Sequence, residues 1–222
     1  MTEQTTWSRV DQYLGGKLLG SDATLEAALS ASTAAGLPPI AVSPLQGRLL
    51  ELIARSIKAR KVLEIGTLGG YSTICLARAA GPDGRVVTVE YEPRHAEVAL
   101  ASISTAGFSA VVDVRVGRAL DVLPTLLDDD SGPFDLVFID ADKSSNAEYL
   151  DWGIRLSHAG SVIIVDNVVR GGAVADPGSP SADVRGNQVM FDLLQRDERL
   201  DATAIQTVGS KGYDGFVYAL VR

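Results

Sequence analysis

Residues 61–77, KVLEIGTLGGYSTICLA, constrain the fold of this chain more than any other segment. A short apolar run reaches Gly66, the chain turns through Gly69 and Gly70, and apolar residues then recur at helical spacing. Strand, glycine-rich turn and helix in this order are typical of the first βα unit of a nucleotide-binding sheet. Glycine lets the backbone approach a ligand closely, because it has no Cβ atom and accepts positive φ.

The turn departs from the dinucleotide fingerprint G-x-G-x-x-G, because Leu68 stands where the second glycine should be. That glycine is needed where the backbone approaches a pyrophosphate. An acid, Glu64, instead lies near the end of the strand, where its charge repels phosphate and suits a cationic sulfonium or ammonium. The segment resembles motif I of the class I S-adenosylmethionine (SAM) methyltransferases.

Length and composition favour a single soluble globular domain over residues 1–222. Hydrophobic residues make up 46% of the chain and charged residues 22%, and the net charge of −8 argues against a nucleic-acid partner. The single cysteine, Cys75, indicates a reducing compartment and is interpreted as buried packing rather than a nucleophile. The start lacks a signal-peptide pattern and no stretch is apolar enough to cross a membrane, so a cytoplasmic protein is expected.

From residue 61 onward, apolar strands and helices alternate regularly, which predicts a mostly parallel sheet covered on both faces. Strands are predicted at 61–65, 85–90, 111–116, 134–139, 161–165, 201–208 and 215–221. Helices are predicted at 71–80, 93–106, 118–127, 145–156 and 185–197. The last two strands are close enough to form a hairpin, which would place one antiparallel strand in the sheet.

The first forty residues are predicted to form a helical cap outside the βα repeat. Residues 5–35 are interpreted as two helices broken at Gly15-Gly16 and Gly20, and this cap could cover the site or pair with a second subunit. A third helix should start at Ser43 and pack on the sheet. Its expected apolar stripe consists of Leu45, Leu49, Leu52, Ile53 and Ile57. The Gly/Pro/Ser-rich segment 168–185 is predicted to be a substrate loop.

Glu90 ends the second predicted strand, about 20 residues beyond the glycine turn. An acid at this position can accept hydrogen bonds from both hydroxyls of a ribose. Enzymes that use NAD place an acid here too, so Glu90 by itself does not separate the two classes of nucleotide-binding protein.

Oxygen-bearing side chains follow strands four and five. Asp140 ends the fourth strand, with Lys143 just beyond it, and Asp166 and Asn167 end the fifth. If these strands are neighbours, about 4.8 Å apart, the three oxygen side chains converge at the carboxyl edge of the sheet. Without sulfur or a nearby histidine, this set suits Mg²⁺ or another hard cation. Each acid could instead merely cap the segment that follows it.

Together, VLEIGTLGGYS, VEYEP, FIDADK and VDN resemble the cation-dependent O-methyltransferases of the catechol and caffeoyl-CoA type. The resemblance runs from about residue 41 to residue 167 and implies a Rossmann-like α/β fold with seven strands, and a homodimer. It implies SAM as cofactor and a divalent cation, Mg²⁺, Mn²⁺ or Ca²⁺. It further implies that the cation is held by Asp140, Asp166 and Asn167. The SAM-binding residues that it implies are Val42, Glu64, Gly66, Thr67, Ser72, Glu90, Ala119, Asp140 and Asp142.

The same resemblance implies the chemistry. In that family a divalent metal binds two adjacent hydroxyls of a catechol-like ring, and a lysine, here Lys143, helps to deprotonate the hydroxyl that attacks. A phenol with a pKa of about 10 is a poor nucleophile at neutral pH, and a nearby cation makes it more acidic. His95 and His158 are predicted to be structural and distant from the strand ends. A small phenolic or other hydroxylated metabolite is therefore the expected substrate.

Three other functions remain as alternatives. An NAD(P)-dependent oxidoreductase is disfavoured by Leu68 and by the oxygen cluster of strands four and five. A non-catalytic SAM- or metal-binding module is disfavoured by the intact Lys143. A tRNA methyltransferase is disfavoured by the acidic charge balance.

Overall fold

Seven strands form one continuous sheet in the computed structural model, which describes residues 2–129 and 131–222. The strand order is β3-β2-β1-β4-β5-β7-β6. Only β7 runs against its neighbours, so the predicted parallel sheet with one antiparallel strand is confirmed within the described residues. The strands are β1 Lys61–Ile65, β2 Arg85–Glu90, β3 Val112–Val116, β4 Phe134–Ile139, β5 Ser157–Asp166, β6 Leu200–Gly209 and β7 Gly212–Val221.

Helices surround this sheet. They are α1 Glu3–Leu18, α2 Ala23–Ala34, α3 Pro44–Ser56, α4 Tyr71–Ala80, α5 Pro93–Thr105, α6 Ala119–Val122, α7 Thr125–Asp128, α8 Asn146–Arg155 and α9 Ala182–Arg196. Two 3₁₀ segments, Lys143–Ser145 and Arg170–Ala175, lie beyond the carboxyl ends of β4 and β5. Across the described residues, no helix is long and apolar enough to span a bilayer.

Both faces of the sheet are buried, as the nearly continuous apolar strands predict. On β1, Leu63 faces a core shared with α6–α9, and Val62 faces a core shared with α3 and α4. The helices α2, α4 and α5 enclose a smaller cluster around Ile74 and Ile103. The predicted helical cover on both faces is therefore confirmed.

The amino-terminal cap differs from the prediction in one respect. The helix α1 continues through Gly15 and Gly16 and ends only before Gly20, whose φ is 64°. Two interior glycines cost about 1 kcal/mol each in helix propensity, which does not prevent a helix that is held at other points. Gln4 and Asp11 supply such points, because they bind the main chain of the β6–β7 turn. Met1, the first residue of the predicted cap, lies outside the described residues.

The helix α2 is anchored through its N-cap residue, Asp22. Asp22 accepts a hydrogen bond from Leu25 N, as an N-cap residue should, and its carboxylate also pairs with Arg78 of α4 at 2.5 and 2.9 Å. The pKa of Asp22 is lowered to about 2, chiefly by the hydrogen bond from Arg78. This pair fixes α2 against α4, the helix that follows the glycine turn.

The third helix begins at Ser43 as predicted, but its predicted apolar stripe is wrong in part. Leu49 and Leu52 are 39% and 50% exposed, and the buried apolar residues include Leu50 and Ala54. The reason is the close packing of Gly47 on α4, where a Cβ atom would lie 2.9 Å from Tyr71 Cε1. That contact rotates two leucines of the stripe towards solvent.

Three further predictions were wrong in extent. The predicted helix 118–127 is two short helices interrupted at Pro124, which lacks the N–H that a continuous helix requires. The loop predicted at 168–185 is shorter, because α9 begins at Ala182 with Ser181 as N-cap. The fifth strand is longer than 161–165, because β5 starts at Ser157.

Candidate active site

The carboxyl ends of four parallel strands meet at one edge of the sheet. In the ladder, Ile65 pairs with both Val89 and Ile139, and Ile139 pairs with Val165. The next residues of these four strands therefore lie side by side, and they are Gly66, Glu90, Asp140 and Asp166. The predicted neighbourhood of strands four and five is confirmed, and this edge is where open α/β sheets bind ligands.

The glycine turn closes tightly over this edge. Gly66 has a φ of 102°, and a Cβ atom there would lie 2.4 Å from the carbonyl oxygen of Asp140. Leu68 also adopts a positive φ, 50°, and Gly70 at 87° is the N-cap residue of α4 without a side-chain cap. The first N–H groups of α4 therefore have no capping side chain, which suits a polar ligand at this position.

Glu64 is fully buried beneath the turn, with one carboxylate oxygen unpartnered. Its Oε2 accepts hydrogen bonds from Thr73 at 2.5 Å and Thr88 at 2.6 Å, and its Oε1 has no partner. Burial raises the pKa of Glu64 to about 7, against the lowering effect of the nearby hydroxyls of Ser72, Thr73 and Thr88. An unpaired buried carboxylate oxygen of this kind fits a cationic ligand, as SAM requires.

Glu90 ties the glycine turn to β2. Its Oε2 accepts hydrogen bonds from Thr67 N at 3.1 Å and Leu68 N at 2.8 Å, and its Oε1 accepts one from Glu92 N at 3.0 Å. These bonds give Glu90 a local structural role, and its predicted contact with ribose stays a prediction. His95 Nδ1 lies 3.3 Å from Glu90 Oε1.

His95 was predicted to lie away from the ends of strands four and five, and the structure places it beside Glu90 at the end of β2. The helix α5 begins only three residues after β2, so its first turn brings His95 back to the carboxylate. The short spacing between Glu90 and the start of the helix is the signal that could have placed it. His158, as predicted, lies elsewhere, paired with Asp135 at 3.0 Å near the opposite edge.

The other predicted SAM-binding residues lie on several different elements of the fold. Val42 is buried just before α3, Thr67 and Ser72 flank the glycine turn, and Ala119 begins α6 after β3. Asp142 accepts hydrogen bonds from Tyr149 at 2.5 Å and from the hydroxyls of Ser144 and Ser145. Burial raises the pKa of Asp142, but these bonds outweigh it and the net shift is downward.

Lys143 is buried at the edge of the sheet, although lysine is rarely buried without a partner. Its Nζ lies 2.6 Å from Asp140 Oδ1, and the side chain is 8% exposed. This placement excludes the interpretation of Lys143 as a solvated surface charge. Cys75 is buried as predicted, and burial raises the pKa of its thiol to about 12.

Asp166 is the most enclosed of the predicted metal ligands. Its Oδ1 accepts a hydrogen bond from Asn167 N at 2.9 Å, and its Oδ2 accepts one from Gln46 Nε2 at 2.5 Å. Burial and the nearby carboxylate of Asp140 raise the pKa of Asp166 to about 7. Two carboxylates that repel one another, followed by an amide-bearing residue, form a donor set that suits a hard divalent cation.

Two features of this cluster were not predicted from the sequence. Within the part that the structure describes, no three His, Cys, Asp or Glu side chains form a metal-binding group, so the amide of Asn167 would have to complete the set. Gln46 is the residue that sequence reasoning missed. Gln46 lies in the first turn of α3, and no local pattern there indicates a contact with Asp166.

Known proteins share this architecture over nearly the whole chain. A family model described as O-methyltransferase matches residues 21–217. Catechol O-methyltransferase of Mycobacterium tuberculosis is 56% identical over 222 residues, covering 100% of this chain and 99% of that protein. The Bacillus cereus O-methyltransferase in complex with SAH is 48% identical, with a TM-score of 0.97 over 99% of this chain and 100% of that one. The O-methyltransferase TomG of Streptomyces achromogenes, in complex with SAM, is 50% identical with a TM-score of 0.96, covering 100% and 99% of the two chains.

Proposed function

The chain belongs to the O-methyltransferase family, and from this we propose that it transfers the methyl group of SAM to a hydroxyl of a small catechol-like acceptor with the help of a divalent cation. The observation that carries the proposal is Lys143, buried at the carboxyl edge of the sheet with its Nζ 2.6 Å from Asp140 Oδ1. A relative of 56% identity is named catechol O-methyltransferase, which supports the acceptor class.

The residues of β1 and β2 support the SAM-binding part of the proposal. Glu64 presents an unpartnered, buried carboxylate oxygen that can bind a cationic group of SAM. Glu90 offers its carboxylate to the ribose hydroxyls, and the glycine at position 66 lets the turn pack directly against the main chain of Asp140. The relatives solved with SAM and SAH support the same cofactor for this chain.

The residues of β4 and β5 support the catalytic part. Asp140, Asp166 and Asn167 would hold the cation, which supplies a positive charge that lowers the pKa of an acceptor hydroxyl. With its Nζ in the neutral amine form, Lys143 would accept the proton of that hydroxyl and become an ammonium. Gln46 would hold Asp166 in place through Oδ2. The transfer itself then depends chiefly on alignment of the oxygen with the methyl group.

A cavity at the start of α3 is the proposed acceptor side of the site, and its lining includes neither Lys143 nor a proposed cation ligand. It has a volume of about 390 Å³ and lies between α1, the start of α3 and the β6–β7 turn, lined in part by Asp11, Gly15, Ser43 and Ser210. The start of α3 also carries Gln46, which touches Asp166. The volume is in the usual range for small-molecule sites, which supports a small acceptor.

Ligand-induced stabilisation tests the cofactor class. SAH should raise the melting temperature of the protein, because a ligand that binds only the folded state stabilises it by mass action. The same concentration of NADP should have no effect, since Leu68 replaces the glycine that a pyrophosphate requires. Differential scanning fluorimetry measures both. A shift with NADP and none with SAH would contradict the proposed methyl donor.

We also propose that two copies of this chain associate through α1, α3 and β6. The 16-residue helix α1 has no buried side chain, and Val10 and Leu18 are exposed, as is Leu52 of α3. The ten-residue edge strand β6 is exposed along most of its length, and such edges are usually covered. Light scattering after size exclusion should report twice the 23.4 kDa chain mass. A monomeric mass at micromolar concentration would contradict the association.

A further inference from the structure

Two asparagine side chains form a buried chain of hydrogen bonds behind the proposed metal ligands. Asn146 and Asn187 are both fully buried. Asn187 Nδ2 donates to the carbonyl oxygen of Asn167 at 3.0 Å, and Asn146 Nδ2 donates to Asn187 Oδ1 at 2.6 Å. A carbonyl oxygen can only accept, so the Asn187 atom facing Asn167 must be the nitrogen, and the direction of the whole chain follows.

The hydrogen bond from Asn187 holds the backbone of Asn167 in place. Asn167 has a φ of 56°, a left-handed conformation that few side chains tolerate and asparagine tolerates best. Its N–H donates to Asp166 Oδ1, its carbonyl accepts from Asn187, and the next N–H, of Val168, donates to the carbonyl of Gly215. The orientation of both peptides around Asn167 is thereby determined, and with it the starting direction of its side chain.

The same helix supports the segment that carries Lys143. The backbone of α9 at Gly186 lies so close that a Cβ atom there would be 2.2 Å from the carbonyl oxygen of Lys143. Asn146, the other end of the hydrogen-bonded chain, starts α8 directly after the Lys143–Ser145 segment. One turn of α9 therefore contacts both parts of the proposed catalytic edge.

We propose that Asn187 is a positioning residue that holds Asn167 in the conformation needed to complete the divalent-cation site. This inference rests on the proposed function. A buried amide is unfavourable unless its hydrogen bonds are made, and an apolar side chain of the same size would pack α9 equally well. The hydrogen-bonded amide instead fixes the orientation of Asn167. Removing a residue that is hydrogen-bonded to a metal ligand commonly weakens metal affinity by about 10–100-fold.

The test measures the Kd for Mn²⁺ of the protein in complex with SAH. Electron paramagnetic resonance reports the concentration of free Mn²⁺ during the titration. Asn187→Leu should raise the Kd for Mn²⁺ by about 10–100-fold, with the Kd for SAH within about twofold of the wild-type value. Ser161→Ala is the matched control. Ser161 is also buried and donates to the carbonyl of Phe134 at 2.8 Å, but it lies in the middle of β5, away from Asp166. The control should lose stability and keep its affinity for Mn²⁺.

A second variant covers the case in which Asn187→Leu does not fold, as judged by loss of SAH binding. Asn187→Ser keeps a small polar side chain too short to reach the carbonyl of Asn167, and it should weaken Mn²⁺ binding likewise. An Mn²⁺ Kd within twofold of wild type in the folded variant would overturn the inference and leave Asn187 a packing residue. A wild-type protein that binds no Mn²⁺ would instead reject the metal part of the proposed function.

Discussion

Replacing Lys143 with alanine should lower kcat for methylation of a catechol acceptor by about 10²–10⁴-fold, the usual contribution of a positioned general base. The Nζ atom lies at the carboxyl edge of the sheet, 2.6 Å from Asp140 Oδ1, and the Lys143 side chain is buried. The KM for SAM should change little, because the Lys143 side chain is expected to face the acceptor rather than SAM. Steady-state kinetics with both substrates varied measures the two constants.

The pH dependence of kcat distinguishes a general base at position 143 from a side chain that only contributes to packing. Raising the pH should partly restore the activity of Lys143→Ala, since hydroxide can remove the proton once the acceptor is acidified. Lys143→Arg should stay impaired at neutral pH, because a guanidinium does not lose its proton in this range. Lys61→Ala is the matched control, since Lys61 Nζ donates to the carbonyl of Gly132 far from the site. Near-wild-type kcat in both Lys143 variants across pH 6–9 would remove the base from the mechanism.

Replacing Asp166 with alanine should lower kcat at least as much as replacing Lys143 does. Asp166→Ala takes away one of two carboxylates at the proposed cation site, and we expect kcat with a catechol to fall by more than about 10²-fold. Exhaustive treatment of the wild-type enzyme with EDTA should abolish turnover, and Mg²⁺ or Mn²⁺ should restore it. Binding of SAH to the variant, measured by calorimetry, should remain close to wild type, because β5 is not predicted to contact the adenosine.

Asp135 supplies the control for this substitution. It precedes the buried part of β4 at the opposite edge, where Oδ2 accepts hydrogen bonds from the main-chain N–H groups of Arg60 and Lys61. Asp135→Ala should therefore lower stability and leave the response to EDTA unchanged. Full activity of the metal-free wild-type enzyme would show that the carboxylates at the carboxyl edge serve another purpose.

Most of the strand-end residues could be placed before the structure was known. A parallel sheet brings the carboxyl ends of its strands to one edge, so recognising where β1, β2, β4 and β5 end was enough to group Gly66, Glu90, Asp140 and Asp166. The apolar runs that define these strands are short and unambiguous. The assignment of roles to these residues came from the family resemblance, and it stays a prediction that the experiments above address.

Residues outside the strand ends were harder to place, because no local pattern reports which partner a helix meets. Gln46 was missed, since nothing in α3 indicates that its first turn lies over Asp166. The contact of His95 with Glu90 was not predicted, since it depends on the angle between β2 and α5. The exposed leucines of α3 were assigned to the core, because the close approach of Gly47 to Tyr71 rotates the helix.

Sequence by itself therefore determined the order of strands and helices, the buried sheet and the chemistry available at its carboxyl edge, because these follow from local hydrophobic period and from the direction of the strands. Only the tertiary structure decided that Lys143 is buried against Asp140, that Glu64 keeps an unpartnered oxygen, and that Asn187 supports Asn167. The hydrogen bond between Asn187 and Asn167 joins residues that are 20 positions apart in the chain, and its geometry depends on how α9 packs across the sheet. That packing is a property of the whole fold.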